Sequence, residues 1–180
     1  MKIIKTFIKD LYVIEPQLYK DERGFFFESY NKKELNKLIK LDFIQDNESK
    51  SIKGVIRGLH FQIPPHDQSK LVSCKSGIIL DLAVDLRKSS KTYGKFFSVE
   101  LSSKNNKQLL IPKGFAHGFQ VLSDQAIVNY KVDKYYNPDS ESGIIWNDKD
   151  LSIEWNNDVE PILSIKDSKL ESLKNFKSPF

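Results

Sequence analysis

The 180-residue chain reads as mainly β, a sandwich or small barrel with short helical trim. Three observations predict this. Apolar residues recur with period two along most of the chain, and clusters of Gly, Ser, Asn and Asp punctuate the runs. One run is two-faced: Leu80, Leu82, Val84 and Leu86 alternate with Asp81, Ala83, Asp85 and Arg87. A strand with one apolar and one charged face fits an architecture whose second face lines a polar cavity or meets solvent.

Taken in order, the alternation predicts strands at Tyr12–Ile14, Gly24–Ser29, Val55–Phe61, Leu71–Cys74 and Leu80–Leu86. Further strands are expected at Phe96–Leu101, Gln108–Ile111, Gly118–Leu122 and Ala126–Val132. Turns are expected at Lys75-Ser76-Gly77, Lys91-Thr92-Tyr93-Gly94, Ser102 to Asn106 and Ser123-Asp124. Asn31 can cap a helix over Lys32–Lys40, because Leu35, Leu38 and Ile39 share a face. Ser168 can cap a second short helix that turns Leu170 and Leu173 inward. With no linker, repeat or low-complexity segment, residues 1–180 are expected to form one domain.

Composition excludes several function classes. Charged residues at 29% and hydrophobic ones at 39% describe an ordinary globular chain. The lone Cys74 cannot form an intramolecular disulfide and suits a reducing compartment; as a small buried hydrophobe it needs no catalytic role. Lys2, Lys5 and Lys9 interrupt the N-terminal apolar residues, so no secretory signal is expected, and no run is long enough for a membrane-spanning helix. A cytoplasmic protein is expected. The net charge of +4 comes from lysines interleaved with acids along the whole chain, which argues against a nucleic-acid partner, and no membrane partner is expected either.

The residues that the chain uses sparingly gather in Arg57-Gly58-Leu59-His60-Phe61-Gln62. Its only arginines are Arg23, Arg57 and Arg87, and its three histidines are His60, His66 and His117. On a regular strand Arg57 and His60 would point to opposite faces, so a bulge near Gly58 is needed to bring them together. A second segment, Ile111-Pro112-Lys113-Gly114-Phe115-Ala116-His117-Gly118-Phe119, resembles the second half of the cupin signature, which implies a double-stranded β-helix (a jelly-roll barrel). Metal-binding cupins carry a His-x-His pair in the first half. Here His60 has no such partner, and His66 in Ile63-Pro64-Pro65-His66-Asp67 is expected to be an exposed loop residue. Neither a metal nor a cofactor is expected, which leaves side-chain acid–base chemistry or plain ligand binding.

The chain as a whole resembles the dTDP-4-dehydrorhamnose 3,5-epimerase family of metal-free cupins. The matching motifs are Asp21-Glu22-Arg23-Gly24-Phe25-Phe26 with Glu28, Gln45-Asp46-Asn47, the Arg57 hexapeptide, Gln68 to Val72 and Asp81 to Arg87. Ile111 to Phe119, Tyr130-Lys131, Tyr135-Tyr136, Glu141, Trp146-Asn147-Asp148 and Leu163 to Asp167 complete the series in family order. The resemblance implies that His60 is the general base, Asp167 its carboxylate partner, Lys70 the cation facing an enolate, and Tyr130 the acid on the opposite face. It also implies that Arg23 and Arg57 hold a diphosphate, Gln45 and Asn47 read the nucleotide, and Tyr136 stacks on its base. Glu28, His117, Glu141 and Lys166 are implied as pocket residues, and Phe25 and Phe26 equally as core or dimer packing or as ligand contacts.

The implied activity is epimerisation at C3 and C5 of a dTDP-linked 4-keto-6-deoxy sugar by a homodimer. Two alternatives stay open at this level. One is inversion at C3 alone or C5 alone, or action on a related keto sugar carrying another nucleotide. The other is a catalytically silent cupin that only binds a sugar nucleotide.

Overall fold

The computed structural model describes residues 1–180. In chain order the elements are β1 (Lys2–Lys5), β2 (Tyr12–Glu15), β3 (Tyr19–Asp21), β4 (Gly24–Phe26), α1 (Lys32–Leu35), β5 (Gln45–Ile52) and β6 (Ile56–Gln62). They continue with β7 (Lys70–Ser76), β8 (Ile78–Asp85), β9 (Phe96–Ser102), β10 (Gln108–Ile111), β11 (Phe115–Val121), β12 (Gln125–Val132) and β13 (Glu141–Gly143). A six-stranded sheet in the order β1-β2-β10-β7-β12-β5 packs on a five-stranded sheet in the order β13-β6-β11-β8-β9, and β3 pairs only with β4. Every pairing between strands is antiparallel. This is the expected double-stranded β-helix of the cupin type.

The main core fills the space between the sheets, where Val72, Leu109 and Val128 from one meet Ile79, Ala83 and Val121 from the other. The two faces of β8 resolve as the alternation requires, though both are buried. Asp81 and Ala83 share the face turned between the sheets; Leu82 and Val84 turn outward, where the C-terminal segment covers them with Trp155, Phe176 and Phe180. A third cluster, Leu35, Leu41, Leu71 and Leu110, seats the helical segment on the outer face of the larger sheet.

Both helices are shorter than the sequence predicts. Asn31 caps α1 as expected, its side-chain oxygen accepting from Glu34 N at 3.2 Å, but the α-helix ends at Leu35. Leu38 and Ile39 reach their apolar cluster from turns. The expected C-terminal helix is a single 3-10 turn, Asp167–Lys169, and Ser168 Oγ donates to Ile165 O instead of capping. Strand β5 is the largest addition to the expected elements. No helix is long and apolar enough to cross a membrane.

Candidate active site

A cavity of about 560 Å³ opens between the sheets. The larger sheet contributes Gln45, Asn47, Lys70 and Tyr130 to its walls; the smaller contributes Arg57, His60, His117 and Glu141. The C-terminal segment closes one side with Leu163, Ser164, Lys166 and Asp167.

The expected bulge brings Arg57 and His60 together. His60 lies opposite His117 and Arg57 opposite Phe119, so β6 spends one more residue than β11 between the two pairs. Gly58 makes this possible. It sits at φ +134°, and a Cβ there would lie 2.6 Å from Gly118 Cα and 2.9 Å from His117 O. Gly118 answers from the facing strand: its own Cβ would fall 2.9 Å from Arg57 O.

His60 Nε2 lies 2.7 Å from Asp167 Oδ1. The buried carboxylate is set by a 3.0 Å bond from Asp167 N to Ser164 Oγ, and Oδ2 accepts from Gly58 N at 3.4 Å. A carboxylate at Nε2 holds the proton there and leaves Nδ1 as the basic nitrogen. Burial pulls the His60 imidazole below its ordinary value, and Asp167 opposes that pull only in part. The net shift favours the neutral, basic form of the ring.

Lys70 is buried and donates only one hydrogen bond, from Nζ to His60 O at 3.4 Å. Burial brings its ammonium down to about 8, against the opposing charges of Asp81 and Glu141, so it is still mostly protonated at pH 7. Its Nζ lies 5.9 Å from the centre of the Tyr130 ring. Burial raises the Tyr130 phenol above its ordinary value, with Arg57 opposing, which keeps it a neutral proton donor. His117 reaches the same space from β11, its Nε2 at 2.8 Å from Asp81 Oδ1 and its ring 6.5 Å from that of Tyr130.

The mouth is a polar network. Tyr136 OH donates to Glu141 Oε2 at 2.7 Å, Lys166 Nζ pairs with Glu141, and Tyr136 N donates to Gln45 Oε1 at 3.2 Å. Gln45 Nε2 in turn donates to Asn47 Oδ1 at 2.8 Å. The Tyr136 ring stays more than half exposed, free to stack on a planar ligand.

Two expected pocket residues lie elsewhere. Arg23 sits at the β3–β4 turn, exposed and paired with Asp21 at 2.5 Å, and Glu28 is exposed beside Asn31 at 3.3 Å. Neither lines this chain's cavity. The β3–β4 hairpin pairs with neither main sheet. His66 is also corrected: it is half-buried, with Nδ1 2.8 Å from Ser140 Oγ and Nε2 3.4 Å from Asn137 Nδ2.

Gln62 has a positioning role that residue type alone does not disclose. Its Nε2 donates to His66 O at 2.6 Å and Tyr135 O at 3.3 Å, and its Oε1 accepts from Asn137 N at 2.7 Å, which anchors the loop bearing Tyr136. Its place at the end of the histidine strand was the available signal.

The dTDP-4-dehydrorhamnose 3,5-epimerase family model matches residues 5–175. The chain is 52% identical over 170 residues to the dTDP-4-dehydrorhamnose 3,5-epimerase of Shigella flexneri, covering 93% of each protein. It is similar to the crystal structure of the dTDP-6-deoxy-D-glucose-3,5-epimerase of Legionella pneumophila in complex with dTDP-4-keto-L-rhamnose. That match has a TM-score of 0.94 and 47% identity, over 98% of this chain and 94% of the other. The Bacillus anthracis dTDP-4-dehydrorhamnose 3,5-epimerase with TDP and PPi bound gives 0.92 and 51%, over 96% and 99%. With the cupin barrel, the histidine–carboxylate pair and near-complete coverage in agreement, this chain belongs to the dTDP-4-dehydrorhamnose 3,5-epimerase family.

Proposed function

We propose that the protein is an isomerase that inverts C3 and C5 of dTDP-4-dehydro-6-deoxy-D-glucose to give dTDP-4-dehydro-L-rhamnose. One observation carries the chemistry: a carboxylate-held histidine on one sheet and a half-buried tyrosine on the other face the same cavity, with a buried lysine beside both.

His60 Nδ1 takes the proton from a carbon next to the C4 ketone, and the C–H electron pair moves to the C4 oxygen as an enolate. Asp167 stabilises the resulting imidazolium. The Lys70 ammonium faces the developing oxyanion, an effect worth about 3–4 kcal/mol when such a donor is removed. As the C4 carbonyl re-forms, Tyr130 gives its phenolic proton to the opposite face of the same carbon, inverting it. Both residues recover their protonation states by exchange with solvent before the second carbon reacts. Arg57 binds the diphosphate, Gln45 and Asn47 bind the nucleotide, Tyr136 stacks on its base, and Glu141, Lys166 and His117 complete the pocket.

Turnover in heavy water tests the reading: deuterium should enter at both C3 and C5. No exchange would leave a sugar-nucleotide binder, and exchange at one carbon a one-carbon epimerase. A parallel run with the GDP-linked sugar tests the nucleotide.

We further propose a homodimer in which the β3–β4 hairpin carries Arg23 and Glu28 to the partner's cavity. Its support is the hairpin's own chemistry: Tyr19, Phe25 and Phe26 are exposed at 62%, 54% and 66%, and a two-stranded ribbon is at best marginally stable alone. A cytoplasmic location suits both the lone reduced thiol and a nucleotide-sugar substrate.

A further inference from the structure

The three arginines of the chain are held in two different ways. Arg23 pairs with Asp21, and Arg87 with Asp85 and Asp10, so a carboxylate offsets each charge. Arg57 is held by a neutral group instead: its Nε donates to Ser51 Oγ at 3.0 Å. That is the only side-chain hydrogen bond either residue makes. The acids lining the cavity are engaged elsewhere, Asp167 with His60 and Glu141 with Lys166 and Tyr136.

The strand register explains how Ser51 comes to be there. Gln45, Asn47, Ser49 and Ser51 share one face of β5, and all but Ser51 line the cavity. Ser51 ends the row, buried and opposite Ala126 on β12. Arg57 lines the cavity from β6 of the other sheet, with its side chain exposed there. The bond therefore crosses from one sheet to the other. A guanidinium tethered through Nε keeps both terminal nitrogens, the pair that makes a bidentate fork, for a ligand.

We propose that Ser51 is a positioning residue for diphosphate binding. It fixes the Arg57 fork in the cavity through a neutral acceptor, which leaves the full positive charge for the phosphates. A long side chain loses rotamer freedom when it grips a ligand, and holding it beforehand lowers that cost. A carboxylate in the same place would hold the fork but offset the charge that the ligand needs. The inference rests on the assignment of Arg57 to the diphosphate and adds how that arginine is kept ready.

Calorimetric titration with TDP and with thymidine tests it. Ser51→Ala should weaken TDP binding about three- to tenfold, the effect of ordering one free arginine side chain, and thymidine binding less than about twofold. Because Ser51 acts through Arg57, the loss should vanish in an Arg57→Met background. Equal weakening of both ligands, no weakening of TDP, or the same loss in the Arg57→Met background each overturns the proposal.

If Ser51→Ala does not fold, the unmodified protein labelled with 15Nε-arginine decides. The Arg57 Nε–H signal, identified by its disappearance in Arg57→Lys, should exchange with water more slowly than free arginine before any ligand is added. Exchange at the free-arginine rate refutes the tether. TDP binding no tighter than thymidine in the unmodified protein removes the diphosphate assignment, and this inference with it. A TDP preference that Arg57→Met abolishes and Ser51→Ala leaves intact defeats this inference alone.

Discussion

Replacing Gly58 with alanine attacks the one backbone irregularity on which the site depends. The new Cβ would lie 2.6 Å from Gly118 Cα and 2.9 Å from His117 O, both main-chain atoms that no rotamer change can move aside. Such overpacking costs about 1–3 kcal/mol, and a non-glycine residue at φ +134° adds about 1–3 kcal/mol of strain. The sum, about 2–6 kcal/mol, is a large part of the 5–15 kcal/mol that typically separates folded from unfolded protein (roughly). Urea unfolding followed by tryptophan fluorescence should show the midpoint falling by about 1–3 M, for a slope of about 2 kcal/mol/M. Gly24→Ala is the internal control, since Gly24 has nearly the same φ, +129°, and nothing within 4 Å of its would-be Cβ. It should lose only the strain. Equal losses in the two variants would refute the claim that close approach of β6 and β11 demands glycine. In the folded fraction of Gly58→Ala, kcat should fall more than KM rises, because His60 is displaced from its reacting geometry.

Asp167→Asn should lower kcat by about 10²–10⁴-fold, since the amide neither enforces the tautomer nor stabilises the imidazolium. Burial already depresses His60 and Asp167 opposes it, so losing that charge depresses it further, and the acid limb of kcat/KM should move to lower pH. Tyr130→Phe should still wash deuterium into recovered substrate while product formation falls by about 10²-fold or more; loss of exchange and turnover together would contradict its place as the acid. Arg23→Ala and His60→Ala proteins, each inactive alone, should regain activity when co-refolded, because one mixed-dimer cavity then has both His60 and the partner's Arg23 intact. No regain would sink the shared-site reading.

The sequence made the barrel, most strand positions and the bulge legible, because each has a local cause. Period-two alternation reports a face that meets core, and an arginine and a histidine three residues apart around a glycine can share a cavity only through an extra residue. Strand β5 escaped for an equally physical reason. Asp46, Glu48 and Lys50 face solvent while Gln45, Asn47 and Ser49 line the cavity, so both faces are polar and no hydrophobic period exists to read. The expected helices overran because Leu38, Ile39 and Leu173 are apolar for tertiary reasons: each packs from a turn or loop. Arg23 and Glu28 carry the family motif, but a motif is silent on where the fold places it, and here both lie outside the cavity lining. Asp81 was visible as the polar half of an alternating strand and as the start of a family motif; that it meets His117 follows from the pairing of β8 with β11, which lie far apart in sequence.

The segment that follows β13 seals the apolar outer face of the smaller sheet and also delivers Asp167 to His60. Synthesis gives this double duty a temporal meaning. Chains leave the ribosome N-terminus first, at about 5–20 residues per second, and fold as they emerge. Every strand of both sheets, and with them His60, Lys70 and Tyr130, is made before Ile162 and Glu171 add their parallel bridges to Val55 and Ile144. A nascent barrel therefore holds an unoriented histidine and an uncovered apolar sheet at the same moment. Chains cut short before Asp167 should be sticky and inert together, and competence for proton transfer becomes a marker that the last stretch of polypeptide has docked.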